Sequence, residues 1–394
     1  MAVHDNPQSM PRRTFIGLAA AASVPTLTAL AAESIRAFER PRVLRNADRF
    51  LTKKPVTVTA ATSPRSAGGP HDFFSEGDYW WPDPKNPEGP YVQRDGMTNP
   101  DNFVAHRQAL MGLSVQMPAL TAAWVLTRRK PYAEAAAAHV RAWFVDEKTR
   151  MNPNLQYAQA IHGRTTGRGT GVIDTIHLVE VAQAIPHLKA SGTLSAAEQA
   201  AVQTWFTDYL VWLTTSKNGT EERDTKNNHA MCWGMQVAAF AKLAGKPEQM
   251  DDIRNRFRTL YIPNQEALDG SFPLELARTK PYGYSLFNLD AMATICQLLS
   301  DGTDNLWRWQ MPDGRGAGKA VEYLYPFIAD KSKWQRPPDV MYFDRWPMRQ
   351  AALLFGGLAL NRPEYIATWK KLPADSDVDE VIRNFFVRQP VLWV

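Results

Sequence analysis

The chain has 394 residues, 44% hydrophobic and 22% charged, with 13 Trp, 12 Tyr and 17 Phe. This composition excludes a disordered chain and allows one large domain or two ordinary ones, with an ample core either way. A net charge of +5 with no Lys/Arg block argues against nucleic acid, and the two cysteines, Cys232 and Cys296, have no CxxC spacing for zinc and read as buried free thiols.

The first predicted element is a leader. "PRRTFIGLAAAASVPTLTALAA" sets Arg12-Arg13 before an apolar, small-residue stretch ending in Ala29-Leu30-Ala31. That is the pattern of a twin-arginine export signal with an A-x-A-type cleavage site. The stretch is too short and too interrupted for a membrane span, and no later segment reads as one. The expectation is a leader over residues 1–32 and a single domain over 33–394, exported folded to the periplasm or beyond and free of the membrane. Arg12, Arg13 and Asp5 carry one unit of net charge, so the mature chain keeps +4, which suits an acidic partner such as a polyuronate.

"PVTVTAATSP", near residue 55, reads as one short strand. Residues 62–102 form a long non-helical stretch rich in Pro, Gly and aromatics, including Phe73, Phe74, Tyr79, Trp80, Trp81 and Tyr91. Linkers do not carry such aromatics, so it reads as a lid or groove wall. From residue 100 onward the apolar spacing is helical. It runs through "NFVAHRQALMGLSVQMPALTAAWVLT", "YAEAAAAHVRAWFVD", "VIDTIHLVEVAQAIPHL" and "AAEQAAVQTWFTDYLVWLTTS". It continues through "HAMCWGMQVAAFAKLAG", "SLFNLDAMATICQLLS", "AVEYLYPFIAD" and "MRQAALLFGGLAL". Ser195 marks one helix start, and Thr225 or Asn227 another. "SKNGTEERDTKNN" reads as a loop. With no fixed-period repeat and helices in pairs, the expected fold is all-α, an (α/α) toroid, that is, an incomplete barrel of helical hairpins around a groove.

Two polar patches sit where helices begin. One is "KNNHAMCW", with Asn228 and His229; the other is "FPLELARTKPYGYSLFNLDAM", with Arg278, Lys280, Tyr282 and Tyr284. Capping and core packing account for such residues one at a time. Together they supply an amide, an imidazole, a guanidinium and a phenol, the groups that β-elimination on a uronic acid requires. Amide and guanidinium donors neutralise the carboxylate so that the C5 proton becomes acidic enough to leave. A base then takes that proton and an acid protonates the departing O4. In D-glucuronate and D-mannuronate, H5 and O4 leave from the same side. One tyrosine then serves both steps, provided nearby Arg and His⁺ lower its pKa from about 10.

"NNH" with "ELARTKPYGYSLFNLDA" resembles the alginate-lyase superfamily of α/α-toroid lyases. "YWWPDPKNPEGPYVQRDGMTNPDNF" and "MNPNLQYAQAIHGRTTGRGTGVIDT" extend the likeness over most of the mature chain, and it is closest to the β-1,4-glucuronan (cellouronate) branch, polysaccharide lyase family thirty-eight. The resemblance implies Asn228 and Arg278 as carboxylate neutralisers. It implies His229 as base or as the group that tunes the tyrosine, and Tyr284 as acid or as both acid and base. The chemistry so read requires no metal or cofactor. Mannuronate-specific members carry their tyrosine one residue further from the arginine, usually followed by His. Here Tyr284 is followed by Ser285, which leaves Tyr282 as an alternative.

Further substrate contacts are expected from Gln159, His162, Arg164 and Arg168 in a Gly-rich loop, from Trp80, Trp81, Arg94 and His106, and from Arg345 at the far end of the groove. Two other classes compete. A glycoside hydrolase needs two facing carboxylates, drawn from Asp269, Glu275 and Asp290 or from Asp83 and Asp95. A non-catalytic uronan-binding protein needs only the aromatics and arginines.

Overall fold

The computed structural model describes Met1 and residues 27–394. Arg12-Arg13 and most of the expected leader lie outside the described residues. Leu27–Ala32, the end of that leader, run straight into α1 (Leu27–Phe50), so the expected cleavage point falls within a helix. Helix makes up 58% of the protein and strand 4%.

The helical spacing read from the sequence becomes α2 (Ala105–Thr127), α3 (Lys130–Val140), α4 (Leu178–Lys189) and α5 (Ala196–Thr215). These are followed by α6 (Lys217–Arg223), α7 (Asn228–Ala244), α8 (Pro247–Arg256), α9 (Ile262–Gln265) and α10 (Pro273–Leu276). Then come α11 (Pro281–Leu299), α12 (Ala317–Ala329), α13 (Ala351–Ala359), α14 (Pro363–Lys371) and α15 (Asp379–Asn384). Helices α2, α4, α7, α11 and α13 lie side by side in chain order as an inner row. Helix α3 backs α2, α5 backs α7, α12 backs α11 and α14 backs α13. That alternation of inner and outer helices is the toroid.

Inner helices must be apolar on nearly every face, because each meets two neighbours and a backing helix. In α7, Met231, Cys232, Trp233, Met235 and Phe240 are all buried. In α11, Leu289, Met292, Ile295 and Cys296 are buried likewise, each large side chain contributing about 1.5–3 kcal/mol. Both cysteines are free. Helix α2 is long and apolar enough to cross a membrane, contrary to the sequence reading. Its Leu110, Leu113, Met117 and Leu120 are instead packed inside the protein.

The C-terminal residues bridge the two ends of the row. Phe386 meets Phe287 of α11 at 5.9 Å and Trp393 meets Phe355 of α13 at 5.4 Å. On α4, buried Glu180 accepts from Arg388 N at 2.9 Å, Gln389 N at 2.7 Å and Trp393 Nε1 at 3.1 Å.

Two local expectations need correction. Val58–Ala60 is a 3₁₀ turn, not a strand; Thr57 Oγ1 accepts from Thr59 N, and no partner strand pairs with the segment. Part of "SKNGTEERDTKNN" is helix α6, nucleated by Ser216 Oγ accepting from Gly219 N at 3.0 Å. Residues 62–102 contain no helix but do hold β1 (Phe74–Glu76), β2 (Trp80–Trp81) and β3 (Val92–Gln93). Strand β2 pairs antiparallel with β3, and β1 pairs parallel with β4 (Tyr157–Ala160). The β1–β4 pairing ties the aromatic stretch to residues 157–160.

Candidate active site

Helix α7 begins without a cap of its own. Asn227 takes the N-cap position in extended conformation but makes no side-chain cap bond, and Thr225 Oγ1 turns back to Glu222 O. The cap comes from α10. Buried Glu275 accepts from Asn228 N at 2.8 Å and from Asn228 Nδ2 at 2.5 Å. Burial raises the Glu275 pKa, and the two Asn228 bonds oppose the rise. Glu275, a candidate carboxylate under the hydrolase alternative, therefore anchors the Asn228 amide.

His229 follows on the same turn. Its Nδ1 lies 2.6 Å from Glu222 Oε1, and the Glu222 side chain is 1% exposed. A carboxylate only accepts, so Nδ1 carries a proton, and in the neutral imidazole Nε2 is the free acceptor.

Helix α11 begins at Pro281, and a distant carboxylate caps it too. Asp339 accepts from Tyr282 N and Gly283 N, both at 2.8 Å. Two residues apart on a helix means nearly opposite faces. Tyr282 is accordingly buried between Trp334 and Phe343, its hydroxyl donating to Phe327 O at 3.0 Å. The structure places it in the core and not at the cleft, where the sequence left it as an alternative to Tyr284 for contact with the substrate. Tyr284 points the other way, and its hydroxyl is hydrogen-bonded to the Tyr79 hydroxyl at 2.8 Å. Arg278 lies over the Tyr284 ring at 4.4 Å and pairs with Asp95 at 2.7 Å.

Asn228, His229, Arg278 and Tyr284 line one cleft of about 470 Å³. Its walls also include Asp78, Tyr79, Trp80, Gln93, Asp95, Gln159, Arg168, Thr170, Glu380, Arg383 and Asn384. Gln159 holds a left-handed backbone at φ +52°, unusual for a residue with a side chain, and its Oε1 accepts from Arg168 Nη2 at 2.8 Å. Below the cleft, Arg107 and Arg383 share Asp78 and Asp174, with Arg107 bonding Asp78 at 2.5 Å and Asp174 at 3.1 Å. Burial pushes the Asp78 pKa up, but the two arginines win and hold it below the usual carboxylate range.

The tyrosine differs from expectation. Burial pushes the Tyr284 pKa up; Arg278 and the Tyr79 bond pull it down without overcoming that. The phenol is protonated in the resting protein. Burial keeps Tyr79 protonated as well.

The remaining expected contacts divide. Trp80, Gln159 and Arg168 line the cleft. Trp81 and Arg94 stack on each other at 5.0 Å beside it. His162 and Arg164 border a neighbouring depression, with Arg164 over Trp80 at 5.2 Å. His106 is buried away from the cleft, its Nδ1 accepting from Phe74 N and its Nε2 bonding Ala61 O, so neither nitrogen is free for a substrate. Arg345 pairs with Asp344 and does not reach the cleft. Of the carboxylates a hydrolase would draw on, Asp95 lines the cleft but is paired with Arg278, and Glu275 holds Asn228; Asp290 caps α13 through Ala352 N, Asp269 bonds Ser271 N, and Asp83 bonds Lys85 N.

Tyr79, Glu380 and Arg383 were missed. Tyr79 adjoins the Trp80-Trp81 pair, a usable signal. Helix α15, "DEVIRN", carries nothing in its sequence that points to a cleft some hundred residues away in the chain.

The protein is a polysaccharide lyase acting on uronate polymers, built on an α/α toroid. More particularly, the chain belongs to the alginate lyase family, whose description, Alginate lyase, matches residues 57–334. An alginate lyase from Bacteroides ovatus is similar in structure, with a TM-score of 0.80 and 28% identity over 92% of this chain and 97% of that one. Alginate lyase A1-III from Sphingomonas species A1 is similar with a TM-score of 0.52 and 15% identity, over 83% of this chain and 85% of that one. A histidine-to-alanine variant of A1-III complexed with a tetrasaccharide gives a TM-score of 0.52 at 14% identity, over 82% and 84%. At those identities the A1-III structures speak to the fold alone. A comparison with curated proteins found no match.

Proposed function

We propose that the enzyme cleaves β-1,4-linked glucuronan by β-elimination, leaving a 4,5-unsaturated uronate at the new non-reducing end. The observation that carries the reading is the convergence of Asn228, His229, Arg278 and Tyr284 on one cleft from two helix starts and the segment between them. Arg278 and the free N–H of Asn228 receive the C5 carboxylate and stabilise the charge that develops as the C5 proton leaves. His229 takes that proton at Nε2, the nitrogen its bond to Glu222 leaves free. Tyr284, held protonated by burial, gives its proton to O4 as the C4–O4 bond breaks. Proton and leaving group depart on the same side of a glucuronate ring, so base and acid work from one face.

Trp80 supplies a stacking surface, and Arg168 a second positive charge for a neighbouring uronate. Tyr79, Asp95 and the strands around them support residues 62–102 as a wall that folds over bound polymer. The Arg12-Arg13 leader supports export by the twin-arginine route to the periplasm.

The test is ultraviolet absorbance of the new double bond during incubation with glucuronan, polymannuronate, polyguluronate and polygalacturonate in parallel. A rise on glucuronan is expected. A rise on polymannuronate alone replaces the substrate and keeps the chemistry. Reducing ends without absorbance make the protein a hydrolase, and no change on any polymer makes it a binder.

A further inference from the structure

Arg278 is already engaged before any substrate arrives. Residues 94–97 form a tight turn closed by Met97 N donating to Arg94 O at 3.0 Å. Within it, Asp95 accepts from Arg278 Nη2 at 2.7 Å, Arg278 Nε at 3.2 Å and Thr279 Oγ1 at 2.8 Å. Gly96 follows at φ +74°, and a Cβ there would stand 2.4 Å from Thr279 Oγ1. Glycine is what lets the turn press this close. The paired contact uses the Nε–Nη2 edge of the guanidinium, whereas Nη1 makes no hydrogen bond among the described residues.

We propose that Asp95 is a positioning residue for the candidate site: it clamps Arg278 by one edge against the Tyr284 ring, leaves the Nη1 edge for the uronate carboxylate, and offsets the guanidinium charge beside the phenol. The proposal rests on the lyase reading for the roles of Arg278 and Tyr284. A bare guanidinium 4.4 Å from the ring pulls the phenol toward its phenolate, against the burial that keeps it protonated. Asp95 offsets that pull while Arg278 binds the carboxylate.

The other charged and titratable groups around Tyr284 come from every side. Tyr79 bonds its hydroxyl, Lys280 lies over the Tyr79 ring at 5.2 Å, and Glu380 of α15 pairs with Lys280 at 3.2 Å. His229 and Arg383 line the same cleft. Burial does most to keep the phenol protonated; Arg278 and Tyr79 oppose it, and Asp95 and Glu380 reinforce it.

Asp95→Asn keeps the size and one acceptor while removing the charge. The alkaline limb of its kcat–pH profile is expected to move down by about one unit, since removing an anion near a phenol stabilises the phenolate. KM is expected to change less than twofold. Gly96→Ala leaves the carboxylate present but backs the turn away from Thr279. It is expected to lose about tenfold in kcat through misplacement of Arg278. An Asp95→Asn limb that stays in place overturns the proposal. So does a KM that falls severalfold, which would make Asp95 a stand-in that substrate displaces. If wild type forms no unsaturated product from any polyuronate, the lyase reading fails separately. Asp95 is then read from the alkaline tyrosinate absorbance that disappears in Tyr284→Phe. An earlier onset of that absorbance in Asp95→Asn supports the clamp, and an unchanged onset overturns it.

Discussion

Tyr282 and Tyr284 are chemically identical and two positions apart, yet one is buried among aromatics and the other lines the cleft. Tyr284→Phe removes the proton donor but keeps the ring that Arg278 lies against. Turnover should fall to background while polymer binding, followed by calorimetry or by gel retardation in polymer, stays near wild type. Asn228→Ala removes both a carboxylate receptor and the anchor for Glu275. Its kcat on the accepted polymer should fall by about 10²-fold or more, by comparison with the loss of one oxyanion donor. A wild-type rate would reduce Asn228 to its structural bond with Glu275.

At the scale of elements, three of the inner helices borrow their caps. Glu275 caps α7, Asp339 caps α11 and Asp290 caps α13, each from a different part of the chain. Among the described residues α5 carries a local capping box, with Ser195 and Glu198 bonding each other's backbone, and Ser216 caps α6 locally. Helix α15 is short and is held by charge: Arg383 bonds Asp78 and Asp174, which also share Arg107. Arg383→Ala should leave two buried carboxylates underpaired and cost about 3–5 kcal/mol of stability. Chemical denaturation would read that loss. Activity should fall with it, because Glu380 and Asn384 of the same helix wall the cleft.

For the whole molecule, two buried acids set a pH dependence of stability. Burial raises the Glu266 pKa to about 8 and the Asp290 pKa to about 7. Unfolded, both titrate near 4. Between those limits the native state holds protons on these two acids that the unfolded state has released, so their contribution to stability is lost as pH rises toward 8. Below about pH 6.5 the buried histidines His139 and His177, whose pKa burial lowers, act in the opposite sense, so the thermal midpoint should decline between about pH 6.5 and 8. Glu266→Gln should flatten that decline; an unchanged slope would place the dependence on other groups.

The helical architecture was legible in the sequence because inner toroid helices need apolar residues at 3.6-residue spacing, and α2, α5, α7 and α11 show it plainly. Asn228, His229, Arg278 and Tyr284 stood out because polar groups at the start of an apolar helix are conspicuous. What the sequence could not decide was which groups surround them. Whether Tyr284 or Tyr282 meets the cleft depends on the rotation of α11, set by what packs against it. The partners of Asn228, His229 and Arg278 are Glu275, Glu222 and Asp95, brought there by α10, α6 and the turn at Gly96. The tyrosine was expected to be acidified by its neighbours, but desolvation outweighs them, and desolvation exists only once the chain has closed over the ring. Periodicity is a local property of the chain, whereas charge pairing and burial are properties of its tertiary packing.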